Sequence, residues 1–134
     1  MASNVWYGPS VGYGAVIRGD VNSIKIGSLT NIQDNTVIHV AKTNVGGHEA
    51  PTLIGDRVTV GHNATLHACT IEDDAFVGMG ATVMDGAVVE KGAMVGRGRW
   101  RLSRHPLALG TNPRCLSLMA SHDDVPSIIW QALR

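Results

Sequence analysis

Aromatic residues are scarce in this chain, with one Phe, two Tyr and three Trp among 134 residues. Large rings supply much of an ordinary globular core, so their shortage points to a narrow interior packed by small aliphatic groups. Cysteine is scarcer still. Cys69 and Cys115 stand at no metal-binding or redox spacing, which removes a disulfide framework and a cysteine-based zinc module. Cys69 reads instead as a small hydrophobe in the wall of the fold. Neither sign of charge prevails: eleven Lys and Arg face eleven Asp and Glu, so nothing argues for a nucleic-acid surface. No apolar run approaches the roughly 18 residues of a membrane span. The opening also lacks the Arg- and Ser-rich amphipathic stretch of a transit peptide.

What the chain has in place of these is a rhythm of six. Aliphatic residues recur at Ile26, Ile32 and Ile38, then at Ile54, Val60, Leu66, Ile71, Val77, Val83, Val89 and Val95. Four positions after most of them comes a small or β-branched residue, as at Thr30, Thr36, Val58, Ala64, Ala75, Ala81, Ala87 and Ala93. Period six suits neither an amphipathic helix nor a simple alternating strand. It suits an all-β fold, a left-handed parallel β-helix of hexapeptide repeats, in which one side chain per hexad points inward and a small residue turns each corner. Residues 1–96 are expected to form this single domain. Residues 97–134 carry no hexad. Six of the eleven basic residues lie there, all Arg, and the segment reads as an irregular or short-helical tail and not as a separate domain. Asp124 to Leu133 could form one short helix with Pro126 in its first turn.

Three hexads make one coil, so residues eighteen apart stack on one face. Two insertions alter the count. Ile17 to Ile26 holds three extra residues, and Ile38 to Ile54 holds a ten-residue loop rich in Gly46, Gly47 and Pro51. With these removed, Ile17, Ile38 and Leu66 share a face in consecutive coils. The residue after each points outward, since neighbours on a strand alternate sides, and these residues are Arg18, His39 and His67. Rungs about 4.8 Å apart allow His39 and His67 to reach one ion, at about 2 Å from each nitrogen. His62 belongs to a different face, stacked on Gln33 and Asp34. A threefold trimer would set Arg18, His39 and His67 against Gln33, Asp34 and His62 of the next copy. His48, His105 and His122 read as surface histidines.

At these residues the chain resembles the γ-class carbonic anhydrases, in particular the mitochondrial forms of plants. The likeness is carried by AVIRGDVNSIKIG from Ala15, by TNIQDNTVIHVAKTN from Thr30 and by the long repeat from Ile54, together spanning Val11 to Val95. The resemblance implies that His39, His62 and His67 bind zinc, for which iron or cobalt could substitute. It implies that Arg18 and Asp34 pair across the subunit interface, and that Asp20, Asn31 and Gln33 organise the catalytic site. The implied reaction is reversible hydration of CO2 to bicarbonate by a homotrimer or a mixed trimer of related subunits, in the mitochondrion. Gln33 is the residue expected to orient the attacking oxygen.

Two departures qualify the likeness. Efficient archaeal relatives carry a glutamate directly after the Arg-Gly-Asp triplet and another in the loop after the first ligand, where this chain has Val21 and Lys42. His48 and Glu49 lie in that loop and read as solvent-exposed. Plant relatives also serve as structural subunits of respiratory complex I, so a non-catalytic assembly role competes with catalysis. A hexapeptide acyltransferase is a third reading, but no separate catalytic histidine presents itself beside a coenzyme A groove. The unit Val11-Gly12-Tyr13-Gly14 stands where relatives have Val-Trp-Tyr-Gly, so the family's first coils are expected to be missing, and a splice variant or shifted reading frame is expected to account for the tail.

Overall fold

The computed structural model describes residues 7–44, 46–98 and 100–101. The expected helix at 124–133, and the arginine-rich tail from residue 102 onward, lie outside them. Every regular element among the described residues is a strand of two or three residues. None is a helix long and apolar enough to cross a membrane. Such short strands gain little from their own hydrogen bonds; they persist because each pairs with the strand one coil above and one below.

The pairing builds three parallel sheets, which are the three faces of a left-handed β-helix. The first face stacks Ser10–Val11, Asn31–Ile32, Thr59–Val60, Phe76–Val77 and Met94–Val95. The second stacks Val16–Arg18, Val37–His39, Thr65–His67, Thr82–Val83 and Trp100–Arg101. The third stacks Ile24–Ile26, Thr52–Ile54, Thr70–Ile71 and Val88–Val89. The aliphatic residue of each hexad fills the axis: Ile32, Ile38, Val60, Leu66, Val77 and Val83 have no exposed surface. The small residues are inside as well, with Thr36, Val58, Ala64 and Ala81 fully buried at the corners. Burying a threonine hydroxyl is tolerated because each finds a carbonyl. Thr30 Oγ1 donates to the Gly55 carbonyl at 2.7 Å, and Thr36 Oγ1 to that of Gly61 at 3.1 Å.

Two features go beyond what the rhythm foretold. The ten-residue loop is an antiparallel hairpin, with Ala41–Thr43 paired to Glu49–Ala50. Hexad counting registers only that chain has left the coil, not how it pairs with itself. The aliphatic rhythm ends at Val95, yet the backbone takes one more step. Trp100–Arg101 pairs with Thr82–Val83, so pairing outlasts the apolar signal by one hexad.

Candidate metal centre

The second face carries the expected ladder. Arg18 stands opposite His39, and His39 opposite His67. His39 and His67 follow the buried Ile38 and Leu66 and are half-buried, whereas Arg18 follows Ile17, which is itself 40% exposed in the outermost coil of that face, and is exposed too. The imidazole centroids are 5.1 Å apart with the rings tilted by 54°, the separation that one rung of parallel sheet imposes. His62 is elsewhere, at the corner leaving the first face. There Ile32 pairs with Val60, which brings Asp34 level with His62.

Each imidazole has a carboxylate beside it. His67 Nδ1 donates to Asp85 Oδ1, which fixes the tautomer and leaves Nε2 free as a base. Asp85 escaped the reading of the sequence. Its signal was present, because Val83 stacks on Leu66 and places the residue two positions later at the corner beside His67. Asp20 Oδ1 lies 2.8 Å from His39 Nε2, and Arg18 Nη2 lies 2.9 Å from the same nitrogen. A carboxylate can only accept, so Nε2 carries the proton when it meets Asp20 and accepts from Arg18 when it does not. Arg18 Nε is also 3.1 Å from Asp20 Oδ2. The hydrogen bond from His39, and after it the Arg18 charge, holds the Asp20 carboxyl below its ordinary value.

Asp34 is occupied at both oxygens. Oδ1 accepts from the Tyr13 backbone N–H at 2.7 Å, while Oδ2 lies 3.3 Å from His62 Nδ1. The Asp34 N–H donates to that same Nδ1 at 3.2 Å, so in the single chain Nδ1 is placed as an acceptor from the backbone. Ligation by His62 through Nε2 requires the tautomer in which Nδ1 donates to Asp34. Within one chain, then, Arg18 and Asp34 have different partners. Asn31 donates from Nδ2 to Ser10 Oγ at 2.7 Å on the outside of the first face. Gln33 follows Ile32 at the corner, its backbone N–H bonded to the Val60 carbonyl at 2.9 Å. The fold thus gathers Arg18, Asp20, His39 and His67 along one edge, and Asn31, Gln33, Asp34 and His62 along another. Among the described residues, no three His, Cys, Asp or Glu side chains of one chain converge to hold an ion.

Known proteins resemble this chain over its repeats. A family model described as the hexapeptide repeat of succinyl-transferase matches residues 51–83 and 68–98. Over 91 residues the chain is 69% identical to γ carbonic anhydrase 2, mitochondrial, of Arabidopsis thaliana, covering 68% of this chain and 33% of that protein. The sequence is similar to γ carbonic anhydrases. A probable carbonic anhydrase of Methanocaldococcus jannaschii is 54% identical over 74 residues, covering 55% of this chain and 43% of its own length. Among solved structures, a hexapeptide transferase family protein from Anaplasma phagocytophilum superimposes with a TM-score of 0.50 at 42% identity, covering 69% of this chain and 54% of that one. The chain spans about a third of the length of the Arabidopsis protein. The transferase likenesses concern the coil, which hosts unrelated chemistries; the carbonic anhydrase likeness comes at the higher identity.

Proposed function

We propose that the chain is a subunit of a trimeric, zinc-dependent γ-type carbonic anhydrase that hydrates CO2 to bicarbonate in the mitochondrion. The observation that carries this reading is the stacking of His39 on His67 along one edge, with His62 on another and a carboxylate beside every imidazole. That donor set fits zinc, with iron or cobalt able to take the same nitrogens. Bound by these three imidazoles, a metal would supply Lewis acidity toward water near neutral pH.

The residues of the chain do the rest. Asp85 orients His67 from Nδ1, so that Nε2 would be the nitrogen offered to a metal. Asp34 would do the same for the His62 of its own chain, which the adjoining copy's site receives, once Nδ1 donates to its carboxylate. Arg18 sits against His39 Nε2 in the single chain, and in the assembly it turns to Asp34 of the neighbour, leaving Asp20 to position the ring. Gln33, on the corner that carries His62, orients the attacking oxygen through its amide, and Asn31 holds the adjacent face. Val21 and Lys42 provide no carboxylate, so protons leave to external buffer.

The absence of a carboxylate at Val21 and Lys42 favours a second reading, an assembly subunit of respiratory complex I that keeps the metal for stability. One experiment separates the two. The oligomer is purified, its metal measured and its CO2 hydration followed at rising imidazole concentration. Zinc with turnover that climbs with buffer supports the enzyme, zinc without turnover supports the scaffold, and a monomer holding stoichiometric zinc defeats the shared site.

A further inference from the structure

The two insertions into the hexad rhythm are stacked on each other. Residues 19–23 leave the second face after Arg18 and rejoin the third at Ile24, while residues 40–51 leave after His39 and rejoin at Thr52. Arg18 pairs with His39, and Ile24 pairs with Thr52, so both excursions span the same corner in successive coils. In the next coil that corner is one residue short of a hexad, Leu66 to Ile71, and Ala68 turns it with φ at 47°. The first insertion carries Asp20. The second is the hairpin.

One side chain joins them. Asn22, half-buried, donates from Nδ2 to the Ala41 carbonyl at 3.2 Å and lies 3.4 Å from that of Lys42, while its Oδ1 accepts from the Ser23 N–H at 2.8 Å. Both carbonyls belong to the outgoing strand of the hairpin, two and three residues past His39. The return of the hairpin is tied to the same place. Thr52, fully buried, donates from Oγ1 to the His39 carbonyl at 2.5 Å, and its N–H bonds the Ser23 carbonyl at 3.1 Å. Hexad corners carry side-chain cross-links as well, as at Thr30 and Thr36, but there the ladder bonds on either side already hold successive coils together. The insertions lie off the ladder, so their relative position rests on the Asn22 amide together with the Thr52 N–H bond to the Ser23 carbonyl.

We infer that Asn22 is a positioning residue of the metal centre proposed above: it clamps the Asp20 segment to the hairpin and so fixes Asp20 against His39. The inference rests on that reading for its functional consequence, and on the contacts of one chain for the clamp itself. The amide is specific to the task, since an aspartate of equal size would set an oxygen against two carbonyls and repel them.

The test uses the full chain as N22A, N22D, D20A and N22A/D20A beside the unaltered protein. Amide hydrogen exchange at Ala41–Thr43 in metal-free protein should quicken roughly fivefold in N22A, the loss of a typical net hydrogen bond, and at least as much in N22D. Zinc affinity, from chelator competition, should fall about tenfold in N22A, within the range for groups that orient ligands. In the D20A background the N22A change should add nothing further, because the two act through one contact. Unchanged exchange in both N22A and N22D overturns the clamp. Quickened exchange with unaltered zinc affinity, or additive losses in the double variant, overturns the positioning role. Should the unaltered protein bind no zinc, the metal reading is the one that fails, and exchange alone still decides the clamp.

Discussion

At the scale of single residues, the corners show where sequence and backbone disagree. Six non-glycine residues adopt positive φ: Leu29, Asn35, Arg57, Asn63, Ala68 and Asp74. Asn and Asp tolerate this region, whereas Leu is strained by roughly 1–2 kcal/mol. Leu29, at φ 58° and 54% exposed, gains little burial in return. Leu29→Asn should therefore raise stability by about 0.5–1 kcal/mol, seen as a higher midpoint in urea. A second residue-scale effect depends on pH. Arg57 grips Asp74 with both nitrogens, Nε to Oδ1 at 2.6 Å and Nη2 to Oδ2 at 3.0 Å, and holds its carboxyl below the ordinary value. A depressed folded-state pKa means that the stabilisation is complete above the unfolded value and is lost as pH falls through the folded one. Asp74→Asn should thus be less stable than the parent at neutral pH, with the gap closing in acid below the normal carboxylate range. A gap that stays constant on acidification would deny the pair any part in stability.

At the scale of elements, a two-residue strand has meaning only in its stack. Leu66 sits between Ile38 and Val83 on the second face and has no exposed surface. Leu66→Ala should cost about 2–5 kcal/mol, because the solenoid axis cannot collapse around the void without breaking register on both sides. The check is denaturant unfolding, and a loss under 1 kcal/mol would mean that the coils pack more loosely than the ladder implies. Corner glycines impose a complementary limit. A Cβ at Gly61 would stand 2.6 Å from the Met79 backbone nitrogen, so the residue preceding His62 is fixed by the approach of the next coil and not by any ligand.

For the whole molecule, the proposed ligands are divided between two edges. Two proposed ligands line one edge, and the third lies on another that the same chain does not fold against it. His62→Ala should lower the zinc content of the purified oligomer and shift its assembly toward monomer, since metal and contacts stabilise one state together. Elemental analysis after size separation measures both effects at once. An oligomer unchanged in mass and metal would remove His62 from the shared site. Exposed Phe76, Met79 and Met94 lie on and beside the first face, and Met79 is level with His62 in the next coil, where the Gly80 N–H bonds the His62 carbonyl.

Much of this was legible in the residues themselves. The six-residue aliphatic spacing determined the β-helix, and subtracting two insertions determined that Arg18, His39 and His67 would stack while His62 would not join them. Those outcomes follow from a period, and a period is a property of sequence. Tertiary structure alone decided what breaks the period. The hairpin at 41–50 and the Asn22 cross-link depend on how excursions pair away from the ladder, the contact of Asp85 with His67 depends on a corner in the next coil, and Arg18 turns to Asp20 and His39 because those are the acceptors within reach of an exposed guanidinium in a single chain. Side chains off the repeat choose partners by proximity, and proximity across coils exists only once the chain has wound.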